Sequence, residues 1–419
     1  MERRGWLRYV ADTRPLRHPA YRRMFIGAGT SFFGSQFTAI AVPIQIYDLT
    51  NQSRWVGYVS VAGLVPLLVF ALWGGALADV LDRRRLLLWS SLLMWLMTLG
   101  LLLQAVLGLN NRWLLLALVA VQSGAVAVSG TTRSAITPRI VPMNEIAQAN
   151  TLNYTVTQIG GVIGPLAAGL VITQFGIGWA YAVDALTFTA ALWAAFNLPA
   201  LPPVTAGERR NRGGWSDVMF GLRFIARTPV LLLSFLVDIV AMVLAMPRAL
   251  FPAAAATTFG KGSIAWLYGA ISIGSVLAGV SSGWIARIRR QGLALIGAVM
   301  LWGVAVALSG LAHQLWLVVV LLAFAGAADL VSAVYRQTML QTYTSDELRG
   351  RMQGVFTAVV AGGPRLGDLR AGLTAAAFGT TAAWVGGGVA CVIVVAILGL
   401  AFPTLARYTA PAAEMSTNA

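Results

Sequence analysis

Gly75-Ala76-Leu77-Ala78-Asp79-Val80-Leu81-Asp82-Arg83-Arg84-Arg85 is a short charged stretch wedged between two long apolar runs. Burying a soluble core gives no reason for an acid followed by three arginines at such a place. Small residues let two helices approach closely and turn sharply. An acid at a bilayer surface caps or pairs with a neighbouring helix end, and the arginines stay on the cytoplasmic face. The stretch therefore reads as a joint between two membrane spans.

Composition carries that reading to the whole chain. Of its 419 residues 58% are hydrophobic and only 11% charged, against roughly 25% charged in a soluble domain. Mean hydropathy is +0.74. A spanning helix needs roughly 20 apolar residues, because the lipid core offers the backbone no water. About twelve stretches meet that criterion. They lie near 24–48, 55–78, 86–108, 113–137, 147–174, 178–198, 229–257, 264–286, 292–312, 315–343, 352–378 and 381–406.

The net charge of +15 raises the question of nucleic acid. Its distribution excludes that class. Arginines gather before the first span, at Arg83 to Arg85, at Arg139, in the 199–228 linker, at Arg287 to Arg290, at Arg349 and Arg351, and at Arg407. The opposite loops hold only Arg54, Arg112 and Lys261. Alternation of this kind places both termini in the cytoplasm, whereas a nucleic-acid binder gathers its charge in one patch. The single cysteine, Cys391, forms no intrachain disulfide and reads as a small buried apolar residue. The first span is too long for a signal-peptide core and is expected to be retained.

The linker divides the chain into segments 1–23, 24–198, 199–228, 229–407 and 408–419. The two long segments are expected to be six-helix bundles, and the tail a disordered one. Inside the linker Trp215, Val218, Met219, Leu222 and Ile225 fall at helical spacing, which predicts an interfacial helix on the inner leaflet. Gly283-Trp284-Ile285-Ala286-Arg287 echoes the 75–79 stretch, as an internal duplication would.

The 75–85 stretch resembles motif A of the major facilitator superfamily, keeping Gly75, Leu77, Asp79, Arg83 and Arg84 and departing at Val80 and Asp82. The fifth span carries Gly160, Gly164, Pro165 and Gly169 in a pattern similar to the antiporter motif of drug–proton exporters, with Ala168 in place of one glycine. Close helix crossing and a proline bend are the physical content of that pattern, and generic packing is the plainer reading. Nearly the whole chain resembles siderophore exporters of the same branch, and macrolide exporters share part of it. The resemblance implies an all-α membrane protein of the major facilitator superfamily fold. It implies twelve transmembrane helices in two bundles, in the inner (cytoplasmic) membrane. Motif A is then a gating loop packed between the second and eleventh helices. The expected partners are the lipid bilayer and a small amphipathic molecule, with the chain a monomer. No cofactor is expected, since a proton gradient supplies the energy.

Ionisable residues inside spans are costly and face a cavity or a partner. Five acids and five bases fall there: Asp48, Asp184, Asp238, Asp329 and Asp368, with Arg133, Arg248, Arg336, Arg365 and Arg370. Asp238 and Asp329 rank first as proton carriers, then Asp184 and Asp48, the last near the outer mouth. Asp238 and Arg248 are too far apart on one helix to pair. Asp329 and Arg336 stand two turns apart, so direct pairing is not expected. In the eleventh span Gly362, Gly363 and Pro364 interrupt the helix beside Arg365 and Asp368, which neutralise each other at i,i+3. Arg370 is then left for another partner or for an anionic or catechol-bearing ligand. Arg133, Arg336 and Gln337 complete the candidates for a substrate cavity.

Enzyme readings fail. Gly279-Val280-Ser281-Ser282-Gly283 spells Gly-x-Ser-x-Gly within an apolar helix, not on a strand–turn–helix elbow. No phosphate-binding loop exists, and two histidines with one distant cysteine make no metal site. The expected function is export of a catecholate siderophore by proton antiport. A macrolide or multidrug pump of the same fold is the alternative, followed by a non-transporting membrane sensor.

Overall fold

The computed structural model describes residues 13–202, 215–281, 285, 288–344 and 349–409, and the described residues contain no strand. Six long helices come first: α1 Pro19–Thr50, α2 Ser53–Val80, α3 Arg83–Val106, α4 Arg112–Ile140, α5 Ile146–Phe175 and α6 Ile177–Phe196. The linker contributes α7 Trp215–Arg227. Then follow α8 Pro229–Ala245, the short α9 Phe251–Ala254, α10 Ile264–Val280, α11 Gln291–Leu311, α12 Leu315–Tyr343, α13 Arg349–Phe378, α14 Thr380–Ala401 and α15 Pro403–Ala406.

Eleven helices among the described residues are long and apolar enough to cross a membrane. The twelfth position belongs to α13. Its 30 residues suffice in length, but Arg349, Arg351, Arg365, Asp368 and Arg370 make it too polar on composition alone. The expected twelve helices are thus present, one of them unusually charged.

Local chemistry sets the ends. Pro19 opens α1, where a missing N–H costs nothing, and Asn51 closes it in the left-handed region at φ 52. The Asn111 side chain accepts from the amides of Trp113 and Leu114 and so caps α4. One glycine alone separates α5 from α6 and α13 from α14: Gly176 (φ 91) and Gly379 (φ 88), each after a phenylalanine. Left-handed backbone without strain requires glycine there. The same Phe-Gly turn at the fifth–sixth and eleventh–twelfth junctions marks the duplication more clearly than the 283–287 echo. Of that echo only Ile285 lies within the described residues.

Two expectations about helix integrity need correction. The seventh span is broken: α8 stops at Ala245, Met246 is extended, and Pro247 leads into a 3-10 turn at Arg248–Leu250. A π-helical turn, Ala255–Phe259, follows α9. Pro247 has no N–H to continue the ladder and pushes the residue before it out of the helical region. The eleventh span, expected to be interrupted, is continuous through Pro364. In the eighth span α10 is described to Val280 and Ser281 lies in a turn; of the rest of the stretch expected to 286, only Ile285 lies within the described residues.

Contacts divide the chain into two compact units, Met1–Asp217 with Phe251–Gly269, and Val218–Leu250 with Ala270–Ala419. The first boundary, between Asp217 and Val218, falls inside the linker expected at 199–228, while Phe251–Gly269 groups with the first six helices. The passage between units falls at the break in the seventh span. In the first unit one core cluster gathers Tyr21, Met24, Leu87, Ile136, Leu152, Leu198 and Leu201 from α1, α3, α4, α5 and the chain leaving α6. In α7 Ile225 is buried while Met219, Phe220 and Leu222 are exposed, which leaves an apolar strip open beside Arg223.

Candidate transport site

The second unit concentrates the charge. Asp238 on α8 and Arg336 on α12 form an ion pair, and the two residues are only 3% and 4% exposed. Arg336 also reaches Asp329 on its own helix, Nη2 to Oδ1 at 3.9 Å. The expectation that two turns would keep them apart fails because the long guanidinium side chain extends back along the helix. Asp329 is about a third exposed and lies in the field of Arg248, which the broken seventh span presents at its surface. Four residues that the sequence scatters thus form one ladder, Asp238–Arg336–Asp329–Arg248. Its acids differ in kind: one is sealed in a pair, the other open.

Arg370 is occupied by backbone. Its guanidinium donates to the carbonyl oxygens of Val243 and Leu244, at the end of α8, and to that of Ala383 on α14, the first and last at 3.1 Å. A helix that stops inside a bundle leaves its last carbonyls without partners, and this cation satisfies two of them. Of the two alternatives for Arg370, the structure fills the first. Arg365 stands one turn from Asp368 on α13, in the field of that carboxylate. The α13 glycines serve packing: a Cβ on Gly367 would strike the carbonyl of Met242. Gln337 lies half-buried beside Arg336.

The first unit holds three of the candidates. Asp184 on α6 is fully buried; its Oδ2 accepts from the Thr38 hydroxyl at 2.5 Å, and its Oδ1 has no hydrogen-bond partner among the described residues. Arg133 on α4 donates through Nε and Nη2 to Ser129 on its own helix, at 3.1 and 2.7 Å. Asp48 is exposed in the field of Lys261 and lines a cavity of about 560 Å³ with Gln45, Asn110 and Gly178. Beneath it Gln45 accepts from Gln104 at 2.9 Å and from the Tyr181 hydroxyl at 2.7 Å.

Of the motif A residues, Gly75, Leu77 and Asp79 belong to α2, which continues to Val80, so the joint itself is only Leu81 and Asp82. The side chain of Asp79 lies outside the described residues. Arg83 donates to the Ala135 carbonyl at 3.1 Å and Arg84 to the Phe196 carbonyl at 2.5 Å. In the antiporter motif Gly160 faces Phe32, Gly164 faces Gln36, and Gly169 abuts the backbone of Ala265, with Pro165 inside a continuous α5. Sequence reasoning missed the break at Met246–Pro247, for which Pro247 and Pro252 inside one apolar span were the available signal.

Long apolar helices in this order, six before the linker and six spans after it, are those of a multi-pass membrane transporter of the major facilitator fold. The fold is shared with solved structures of low identity. These include the nucleoside transporter NupG (TM-score 0.69, 12% identity, 93% of this chain and 99% of that one) and a D-xylose-proton symporter (0.69, 12%, 91% and 97%). A third is a bacterial homologue of the iron transporter ferroportin in an inward-facing state (0.65, 13%, 93% and 99%). Within that class the chain belongs to the transmembrane secretion effector family, whose profile matches residues 10–417. It is similar to the enterobactin exporter EntS of Escherichia coli (strain SMS-3-5 / SECEC), at 28% identity over all of both chains. The same exporter of Shigella boydii serotype 18 is 29% identical over 97% of each.

Proposed function

We propose that this protein is a secondary active transporter of the cytoplasmic membrane, with both termini inside. It exports a catecholate siderophore of the enterobactin type by alternating access, coupled to proton entry. The observation that carries the coupling is the unequal pair of carboxylates around Arg336. Asp238 fixes the guanidinium in a buried pair, and Asp329, on the open side, is the group that exchanges its proton with water. A carboxylate has four lone-pair sites when ionised. The vicinal hydroxyls of a catechol would donate to it in that state, and a proton on Asp329 competes with them. Full-length similarity to enterobactin exporters supports the substrate class. The proline-broken seventh span beside the ladder supports a site at mid-membrane, since interrupted helices line binding sites in transporters.

The test uses inverted membrane vesicles holding the full-length protein, with enterobactin as probe and an imposed proton gradient. Uptake should collapse on adding an uncoupler. Asp329→Asn should abolish gradient-driven uptake while sparing exchange of labelled for unlabelled enterobactin. Uptake indifferent to the gradient would overturn the coupling. Transport of macrolides without enterobactin would overturn the substrate.

A further inference from the structure

The departure of motif A at Asp82 has a structural use. Asp82 is the residue before α3, and its Oδ1 accepts from the Arg85 amide at 3.1 Å, capping that helix. Its Oδ2 faces elsewhere and accepts from the backbone amide of Leu201 at 3.2 Å. The next residue completes the exchange: the amide of Arg83 donates to the Leu201 carbonyl at 3.1 Å. Leu201 thus spends both its backbone groups on the α2–α3 turn, as one residue of a sheet would on its neighbour.

Its surroundings are built for that engagement. Pro199 and Pro202 flank it, and proline has no amide of its own to satisfy. The Leu201 side chain is buried in the core cluster of the first unit. Three more cations bind the same exit: Arg84 takes the carbonyl of Phe196, Arg23 that of Asn197 at 2.9 Å, and Arg139 that of Pro202 at 3.3 Å. The first two satisfy carbonyls at the α6 C-terminus. Asp82 is the only acid in the group, and it takes the one amide that the arginines cannot.

We propose that Asp82 is a positioning residue for transport: its carboxylate registers the chain leaving α6 against the gating turn, so that the linker to the second unit is anchored at Leu201. A displacement of the chain that leaves α6 then arrives at the α2–α3 turn itself. The kinetic part of this inference rests on the transport reading above; the anchor does not.

Asp82→Ser separates the two bonds. Serine is as good a helix cap as aspartate, but it has one oxygen and is too short to reach Leu201 as well. Hydrogen exchange on the full-length protein in nanodiscs reads both sites. A peptide over 199–203 carries only the amides of Ala200 and Leu201, because the rest are prolines. Exchange at Leu201 should rise about tenfold, the equivalent of one hydrogen bond, while the first turn of α3 stays protected. Asp82→Ala should expose both. In inverted vesicles with enterobactin, Asp82→Ser should lower the maximal rate several-fold and leave KM unchanged. Unchanged exchange at Leu201 overturns the anchor. Raised exchange with an unchanged maximal rate overturns the positioning role. A wild-type protein silent toward enterobactin refutes the substrate reading, and the exchange arm still decides the anchor.

Discussion

Arg336 offers the sharpest quantitative test of the ladder. It is 4% exposed, bonds Asp238 directly, and lies 3.9 Å from Asp329. Arg336→Ala therefore strands one sealed carboxylate and deprives a second of a partner. Breaking a buried pair from one side costs about 3–5 kcal/mol, and the upper half of that range is expected. Asp238→Ala is milder. The guanidinium left behind keeps Asp329 and the Ser332 carbonyl at 3.4 Å, so about 2–3 kcal/mol is expected, nearer the value of a charged hydrogen bond. Replacing both, as Asp238→Leu with Arg336→Met, should lie within about 1 kcal/mol of the wild type, since apolar replacement of a buried pair is often neutral. The two single variants together lose about 6–8 kcal/mol, so a near-neutral double variant assigns that loss to the stranded partners and not to the pair as such.

The chain supplies its own assay. Cys391 is its single cysteine, fully buried on α14 in the same unit. A maleimide fluorophore that reacts with it on heating reports when that unit opens. At roughly 2–4 °C per kcal/mol for a unit of 150–250 residues, Arg336→Ala should lower the midpoint by about 8–20 °C. A midpoint within about 2 °C of the wild type, or a double variant as unstable as the sum of the single ones, would falsify the pairing. A double variant that regains stability yet shows no gradient-driven flux would assign the pair to transport as well as to folding.

Arg370→Lys should lower the same midpoint less than Arg370→Leu, because a single ammonium satisfies one carbonyl where the guanidinium spans three; equal losses would refute the capping of α8. Thr38→Val should cost about 1–3 kcal/mol by taking from Asp184 its hydroxyl donor, and Thr38→Ser almost nothing; chemical denaturation of the purified protein separates the two. Gly169→Val should destabilise by about 1–3 kcal/mol through the clash with the Ala265 backbone, whereas Gly161→Ala, with nothing within 4 Å of its added carbon, should be tolerated. Thermal midpoints that rank these two glycines the other way round would refute the packing reading of the antiporter motif.

The spans were legible because lipid imposes one rule on every segment, length and apolarity, and composition alone reports it. Pairing was not legible in the same way. Asp329 and Arg336 share a helix face at a distance that backbone geometry makes too long, and only the reach of the arginine side chain closes it. Asp238 gives no sign in sequence that its partner stands on α12 and not on α8. Proline misled in both directions. Pro364 sits among glycines that pack closely on α8, and the helix passes through it. Pro247 follows Met246 in a stretch with no glycine nearby, and there the helix stops. What separates them is whether the freed backbone groups find another partner. At the end of α8 they find Arg370, a residue more than a hundred positions away, and no local pattern encodes that. The same holds at the gating turn. Asp82 looked like a loss from motif A because the motif describes one loop, whereas the residue that gives Asp82 its use, Leu201, lies beyond the sixth helix. A substitution at a motif position can therefore mark a second contact as readily as a weakened first one, and the bond to Leu201 is the evidence that it does so at Asp82.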